Sequence, residues 1–232
     1  MKLHSLYFEL TQAWVRPALF AAVVGALVVC AYAGGKESAQ GGAVSLESVR
    51  SSAASGSAAG RGPSANIGQE IRLVGTGIPA NASVEFTAFA NSTFSVGPVN
   101  VDARNVTVKV PAESVTGMIR IITPEGGASK TQRLQVVPVI DSLTPAAAAA
   151  GGRLLIDGTG FGPDAKVYFK GVTQPVVPTI VSPVRIDIVI PNAAKSGPIV
   201  VTTAGGKSRP AKLAIGSASQ PVPPAAAKPT SN

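Results

Sequence analysis

The stretch LLIDGTGFGPDAKVYF, residues 154–169, places Gly158, Gly160 and Gly162 between two apolar runs. Glycines at this spacing can hold a phosphate, or they can turn the chain between two β-strands. A dinucleotide-binding loop needs Gly-x-Gly-x-x-Gly followed by a helix, because the amides at the helix N-terminus bind the pyrophosphate. Here Pro163 occupies the third glycine position, and the strand-like pattern KVYF follows. The motif therefore predicts a turn between two strands and not a nucleotide site.

A second copy of this pattern lies earlier in the chain. Residues 68–86, GQEIRLVGTGIPANASVEF, align without gaps on residues 151–169. Further on, VKVPAESVTGMIRIITPEGGAS and IVIPNAAKSGPIVVTTAGGKS share Pro, Gly, Thr and Gly-Gly in the same order. A repeat of this length in fixed order indicates two tandem copies of one domain. The equivalent positions that we predict to be turn glycines or core anchors are Gly75 and Gly158, Gly77 and Gly160, and Phe86 and Phe169.

Each copy has the pattern of short β-strands. Apolar and polar residues alternate in EIRLVG, SVEFTAF, VTVKV, MIRIIT and TQRLQVV of the first copy, and in RLLIDG, KVYFKG, RIDIVI, PIVVTT and AKLAIG of the second. Gly, Pro, Asn or Asp separates these segments, and no convincing helical period follows residue 33. The predicted fold class is all-β, with two tandem immunoglobulin-like β-sandwich domains of about 80 residues each.

The composition outside the repeat differs from the composition within it. The segment GGKESAQGGAVSLESVRSSAASGSAAGRGPS has no aromatic residue, and the C-terminus is rich in Pro, Ala and Ser. Such segments bury too little apolar surface to offset the entropy cost of ordering, so we expect both to be flexible. The predicted divisions are a leader (1–33), a disordered linker (34–64), a divergent first domain (65–137), a second domain (138–215) and a disordered tail (216–232).

The leader predicts export. Lys2 and Arg16 precede the apolar run ALFAAVVGALVVCAYA, residues 18–33. This run is shorter than the roughly 20 residues of a membrane-spanning helix, and it ends in Ala-Tyr-Ala, which a signal peptidase accepts. We interpret residues 1–33 as a secretory signal peptide, with an uncleaved inner-membrane anchor as the alternative. A lipoprotein would use Cys30, but the preceding Val is larger than the preferred residue. The protein is expected in the periplasm, at the cell surface or outside the cell.

The only cysteine, histidine and tryptophan of the chain lie in the predicted leader. Cys30, His4 and Trp14 are the only residues of their kinds in the chain. Without the leader the chain has no thiol, imidazole or indole. Disulfides, Cys- or His-based metal sites and His-assisted nucleophilic catalysis are then excluded. We therefore predict that the protein is not an enzyme and holds no cofactor.

Three aspartates of the second copy could be imagined as calcium ligands, because Ca²⁺ takes oxygen ligands from loops. They are Asp157, Asp164 and Asp187. The first copy has Val74 in place of Asp157 and Asn81 in place of Asp164. Asp164, in the segment GPDAK, is better explained as a turn residue. We predict no metal site.

The charge of the chain suggests a class of partner. It carries 20 basic and 12 acidic residues, a formal net charge of +8, which favours anionic partners such as surface polysaccharide. The basic residues are scattered singly along the chain, so a generic solvated surface is the simpler interpretation, and export argues against nucleic acid. Phe89 and Phe94, in AFANSTF, are candidates for an exposed partner-binding loop. The alternative is that they close one end of the first sandwich.

Several motifs of the second copy occur in an order that is typical of one family. The segments IDSLTP, GTGFG, VYF, IVIP and SGPIVVTTAGGKS resemble those of the IPT/TIG domain, an immunoglobulin-like fold shared by plexins and transcription factors. The resemblance covers residues 138–215, whereas the first copy, with GTGIP and a longer middle, is divergent. It implies a sandwich used for binding or spacing and carries over no catalytic residue.

Two functional hypotheses follow. The first is a non-enzymatic bacterial cell-envelope protein that uses tandem Ig-like domains for adhesion, scaffolding or protein interaction. The alternative is a polysaccharide-binding accessory module of the cell surface. The partner is thus an unidentified protein or a surface polysaccharide, and contact with a membrane is expected only through an uncleaved N-terminal segment.

Overall fold

The computed structural model describes residues 43–216. The predicted signal peptide and nearly all of the predicted tail lie outside the described residues. Within 43–216 the regular secondary structure consists of β-strands and one short 3-10 helix. No helix in this part of the chain is long and apolar enough to cross a membrane. The predicted all-β fold class is confirmed.

The first half of the chain contributes ten strands and the 3-10 helix, Phe89–Asn91; nine of the strands form the first domain, and β2 joins a sheet of the second. The strands are β1 (Ser45–Arg50), β2 (Ser57–Ala58), β3 (Ser64–Ala65), β4 (Glu70–Thr76), β5 (Ser83–Thr87), β6 (Thr93–Val96), β7 (Asn100–Val101), β8 (Asn105–Lys109), β9 (Gly117–Ile122) and β10 (Gln132–Val136).

The second domain contains nine strands. They are β11 (Val139–Thr144), β12 (Ala147–Ala149), β13 (Arg153–Thr159), β14 (Lys166–Phe169), β15 (Ile180–Ser182), β16 (Arg185–Val189), β17 (Gly197–Thr203), β18 (Gly206–Lys207) and β19 (Ala211–Gly216).

Each domain is a sandwich of two sheets with corresponding strand orders. In the first domain β1-β4-β8-β7 faces β3-β10-β9-β5-β6. In the second, β11-β13-β16-β15 faces a sheet in which β12, β19 and β17 are neighbours and β14 pairs with the other side of β17. Neighbouring strands are antiparallel except for β3 with β10 and β12 with β19, which are parallel. The second sheet of the second domain continues through β18 to β2, which the first half of the chain contributes.

The alternating pattern of the sequence places one face of each strand in a core. In β4 the side chains of Ile71 and Leu73 are buried, and in β13 those of Leu154 and Ile156 are buried, while their neighbours point outward. Each domain has its own cluster of buried aliphatic residues. The predicted anchors lie in these clusters, with Phe86 1% exposed and Phe169 4% exposed.

Gly75 and Gly158 occupy equivalent positions where two backbones come close together. A Cβ at Gly75 would lie 2.0 Å from the carbonyl oxygen of Ser45 in β1. A Cβ at Gly158 would lie 2.1 Å from the carbonyl oxygen of Val139 in β11. The first strand of each domain, β1 or β11, also contains a register shift just after the residue opposite this glycine. These two glycines therefore allow the first strand to approach its neighbour.

The remaining glycines of the motif, Gly77, Gly160 and Gly162, differ in whether their backbone has a positive φ. Gly77 has φ +66° and Gly160 has φ +70°, in the left-handed region that glycine adopts without steric cost. The carbonyl of Gly162 accepts a hydrogen bond from the amide three residues later at 3.0 Å, and that of Pro79 does the same in the first domain at 3.0 Å. Because this turn needs no positive φ at Gly162, proline can replace the third glycine in the first copy.

The predicted linker over 34–64 is wrong for residues 45–64. These residues form β1 and a segment across the domain junction, and Leu46 and Val49 of β1 enter the first core at 4% and 9% exposure. The strand is hidden in the sequence because a register shift between Leu46 and Ser48 breaks the two-residue alternation. The first domain therefore begins at β1 and not at residue 65.

Candidate binding surface

The aspartates considered as calcium ligands are each engaged by a basic or amide group. A carboxylate oxygen of Asp157 lies 2.6 Å from Nε of Arg185. Asp187, which is 8% exposed, accepts hydrogen bonds from the guanidinium of Arg153. This interaction lowers the pKa of Asp187, although burial partly opposes it, and it raises the pKa of Arg153.

Asp164 has a structural role at a turn. Its carboxylate accepts a hydrogen bond from the backbone amide of Ala204, which joins the turn before β14 to the turn after β17. Among residues 43–216 no three His, Cys, Asp or Glu side chains are grouped so that they could hold a metal ion. Asp157, Asp164 and Asp187 thus form ion pairs or hydrogen bonds within the second domain.

Phe89 and Phe94, the candidate partner-binding residues, are half-buried and not fully exposed. Phe94 lies on β6 opposite Phe86, and the two rings stack with centroids 6.2 Å apart. Its side chain packs against the first core. Phe89 lies in the 3-10 helix between β5 and β6. Both side chains are therefore partly covered, Phe94 by the first core; a partner-binding role for these two residues stays a prediction.

A cluster of basic residues lies instead on the second domain. In β14, Val167 and Phe169 point into the core, so Lys166 and Tyr168 point outward. Lys170 follows directly, and its side chain lies against β17, since a Cβ at Gly197 would be 2.4 Å from its Cδ.

Strand pairing adds two more lysines to the same face. Thr202 of β17 pairs with Lys166 on one side and with Lys207 of β18 on the other. Pro198 of β17 pairs with Lys212 of β19. All four lysines are exposed, and Tyr168 is 42% exposed. We call this surface, made of Lys166, Tyr168, Lys170, Lys207 and Lys212, the basic face.

The basic face has no acidic residue to neutralise it within its strands. The sequences of β14, β17, β18 and β19 contain neither Asp nor Glu. The four ion pairs found within residues 43–216 involve Lys109, Arg120, Arg153 and Arg185, and none involves a lysine of this face. Four positive charges therefore share one flat surface with a single exposed aromatic ring.

The equivalent surface of the first domain has different chemistry. Glu85 of β5 corresponds to Tyr168, and it pairs across the sheet with Arg120 of β9. The guanidinium of Arg120 donates to the two carboxylate oxygens at 2.8 and 3.1 Å. At the corresponding place in the second domain Tyr168 lies opposite Val200. The charges of Glu85 and Arg120 thus cancel on the first domain, whereas the equivalent positions of the second domain carry no charge.

Sequence reasoning missed the basic face because its lysines come from three strands that are far apart in the chain. Read singly, they fitted the expectation of a generic solvated surface. Only the alternation in KVYFK, with Lys166, Tyr168 and Lys170 at every second position, indicated a shared outward side.

The family model that describes the IPT/TIG domain matches residues 138–215. The second domain is an IPT/TIG domain. The expected resemblance is confirmed over this range, and the basic face lies entirely within the IPT/TIG domain. No curated protein matched the chain by sequence.

Solved structures similar to the chain include two bacterial proteins and a plexin. A surface glycan-binding protein, PbSGBP-B from Prevotella bryantii, has TM-score 0.44 and 18% identity, covering 74% of this chain and 41% of that protein. SGBP-B from a complex xyloglucan utilization locus in Bacteroides uniformis has TM-score 0.31 and 17% identity, covering 75% and 50%. The extracellular region of plexin A4 has TM-score 0.27 and 9% identity, covering 66% and 26%. The chain spans about two fifths of the Prevotella protein.

Proposed function

We propose that the protein is a non-enzymatic binding module of the bacterial cell envelope, in which two Ig-like domains form one rigid unit that holds the basic face in a fixed orientation. The observation that carries this proposal is the segment between β1 and β3, residues 51–63, which we call the strap. It leaves the first domain, pairs with a sheet of the second domain and returns.

The strap is joined to the second domain by backbone hydrogen bonds. Its strand β2 pairs antiparallel with β18, with Ala58 opposite Gly206 and Ser57 opposite Lys207. The amide of Ala59 also donates to the carbonyl of Gly205 at 3.1 Å. A rotation of one domain against the other would break these bonds.

Two buried amide side chains fix the strap to the first domain. Asn66, 7% exposed, donates to the carbonyls of Ser55 and Val137 at 3.0 Å each and accepts from the Ser55 amide at 2.7 Å. Gln135, 6% exposed, accepts from the amide of Gly60 at 2.9 Å and donates to its carbonyl at 3.2 Å. Because breaking such bonds leaves buried polar groups unpaired, they favour one position of the strap.

The direct connection between the domains is short and tightly packed. Only Val137 and Pro138 separate β10 from β11, and both are buried. A Cβ at Gly205 would lie 1.9 Å from the carbonyl oxygen of Val136. The two domains also fall within a single compact unit. These contacts support a fixed junction and not a flexible hinge.

A distance measurement between the domains tests the rigid unit. In the full chain with Cys30→Ser, spin labels at Arg104→Cys and Lys195→Cys report one exposed site in each domain. We expect a single narrow distance distribution by pulsed electron resonance. A broad or two-peaked distribution would overturn the proposal.

Variants at the junction sharpen this experiment. Gly205→Val should broaden the distribution, because its side chain would clash with Val136 and Thr116 of the first domain. The milder Asn66→Ala should also broaden it, because it removes hydrogen bonds to Ser55 of the strap. Gly97→Ala is the matched control, since nothing lies within 4 Å of a Cβ there, and it should leave the distribution unchanged. If neither junction variant had an effect, the strap would not be what holds the domains.

The second candidate function, polysaccharide binding at the cell surface, is favoured by the basic face. A scaffold needs only a fixed shape. The basic face adds four lysines that form no ion pair within residues 43–216, around an exposed tyrosine, and these side chains can bind an anionic ligand.

A further inference from the structure

We infer that the basic face binds an acidic polysaccharide, a chain of sugar rings that carry carboxylates. This inference deepens the proposed function and rests on it, since it names the ligand class of the same module. It depends on the spacing of the lysines, the absence of acids in the strands of the face and the exposure of one ring.

Two lysines flank Tyr168 along the chain. Lys166 is two residues before it in β14, about 7 Å away on the same face, and Lys170 follows the end of β14 with its side chain beside Gly197 of β17. A polymer lying along β14 would therefore meet a positive charge, an aromatic ring and a second positive charge in order.

The remaining lysines form a second row across the sheet. Lys207 and Lys166 flank Thr202 from opposite sides, two strand spacings or about 10 Å apart. Lys212 flanks Pro198 in the same way. Between the two rows lies a column of the uncharged residues Thr202, Val200 and Pro198 on the outward face of β17.

Charge complementarity selects an anionic ligand. On the opposite sheet of the same domain Arg153 and Arg185 are neutralised by Asp187 and Asp157. The lysines of the basic face have no acid in their strands, so a ligand carboxylate would not have to displace a protein carboxylate there. Lysine acts as a mobile point charge, which suits carboxylates distributed along a polymer better than a single bidentate group.

Tyr168 favours a sugar polymer among anionic ligands. A tyrosine ring offers an apolar face and a polar hydroxyl, which fits the mixed surface of a sugar ring. Single-stranded nucleic acid is bound by several stacking aromatic residues, and the basic face has one. Binding to a lipid surface uses a large exposed apolar face, but Val200, at the centre here, is half-buried.

The test is a titration of the full chain with polygalacturonate, a polymer of uronic acid. We expect saturable binding that weakens as salt is raised. Fully methyl-esterified polygalacturonate is the matched control ligand, because it keeps the sugar rings and removes the carboxylate charge. Equal binding of the two polymers, or binding to neither, would overturn the inference.

Variants locate the site. Lys166→Gln with Lys207→Gln should weaken binding about tenfold, since two charges of the surface are lost. Lys130→Gln with Arg61→Gln changes the net charge equally outside the basic face and should leave affinity unchanged. Tyr168→Ala should also weaken binding about tenfold, by removing an exposed aromatic anchor. Thermal unfolding of each variant verifies that it is folded.

Rival ligands are outcomes of the same experiment. Tighter binding to a deoxythymidine oligonucleotide, or to vesicles of phosphatidylserine and phosphatidylcholine, would overturn the polysaccharide assignment. The spin-label experiment does not depend on ligand binding. A failure of the polysaccharide inference can therefore be distinguished from a failure of the proposed rigid unit.

Discussion

The same point of the same sheet carries an ion pair in the first domain and a tyrosine in the second. Glu85 and Arg120 neutralise each other across β5 and β9, whereas Tyr168 faces Val200 across β14 and β17. Beneath them the two domains bury equivalent residues, Phe86 and Phe169 among them. The difference shows that the two copies share their interior and differ on their surface.

The reason is physical. An inward residue must fill a fixed volume between two sheets, so few replacements are tolerated. An outward residue of a strand contacts solvent and its cross-strand partner, so its chemistry can change without changing the fold. New recognition is therefore expected at outward positions such as Tyr168.

The largest effect should come from the shared framework. Gly158→Ala would place a Cβ 2.1 Å from the carbonyl of Val139 and 2.6 Å from the ring of Phe161. We expect it to lower the free energy of unfolding, measured by chemical denaturation, by about 1–3 kcal/mol, the range for overpacked sites. Gly75→Ala should behave similarly, because its Cβ would lie 2.0 Å from a carbonyl oxygen.

Gly97→Ala serves as the control for both glycine variants and should change stability by less than about 0.5 kcal/mol. Equal stability of Gly158→Ala and Gly97→Ala would show that the first strand can move away, and that the framework is less constrained than we argue.

A smaller effect should follow from exchanging the surface chemistry. Tyr168→Glu with Val200→Arg transplants the ion pair of the first domain onto the second. We expect polygalacturonate affinity to fall about tenfold through loss of the aromatic ring, because the added Glu and Arg pair with each other and leave the net charge of the face unchanged. Thermal stability should be nearly unchanged. The reverse change, Glu85→Tyr with Arg120→Val, should create no second binding site and leave the affinity and stoichiometry of wild type, because the first domain has no counterpart of the cluster of four lysines. Binding gained by that variant would contradict the role of the lysines.

The smallest effect concerns pH. The pKa of Asp187 is lowered by its hydrogen bonds to Arg153, so the ionised carboxylate stabilises the fold above the unfolded pKa of about 3.9. That contribution is lost as pH falls through the lower pKa of the folded state. Urea denaturation should therefore show wild type more stable than Asp187→Asn near neutral pH, with the difference vanishing in strong acid.

Glu70→Gln is the comparison for this measurement. Glu70 and Lys109 are exposed and 4.0 Å apart, and exposed pairs of this kind contribute little. A stability difference for Asp187→Asn that stayed constant with pH would show that the ion pair with Arg153 is not its origin.

Much of the fold could be predicted because its signals are local. Alternation in EIRLVG and RLLIDG marks strands, and Gly77 and Gly160 mark the turn that follows each of them. The strand β1 could not be predicted, since its bulge removes the alternation and its surroundings are rich in Ser and Ala. The strap was equally hidden, because its position depends on hydrogen bonds to the buried side chains of Asn66 and Gln135, which lie outside the strap in the sequence.

The sequence by itself determined that residues 65–215 form an all-β fold with a repeated pattern, and that residues 34–232 contain neither the thiol nor the imidazole of most catalytic sites. Those properties depend on residue identity and on the alternation of apolar and polar residues between near neighbours, which can be read from the sequence without knowing the fold. Only the tertiary structure decided that residues 45–64 join the domains, and that lysines from β14, β18 and β19 share one face with Tyr168. Strand pairing brings together residues tens of positions apart, and that proximity has no local signature in the sequence.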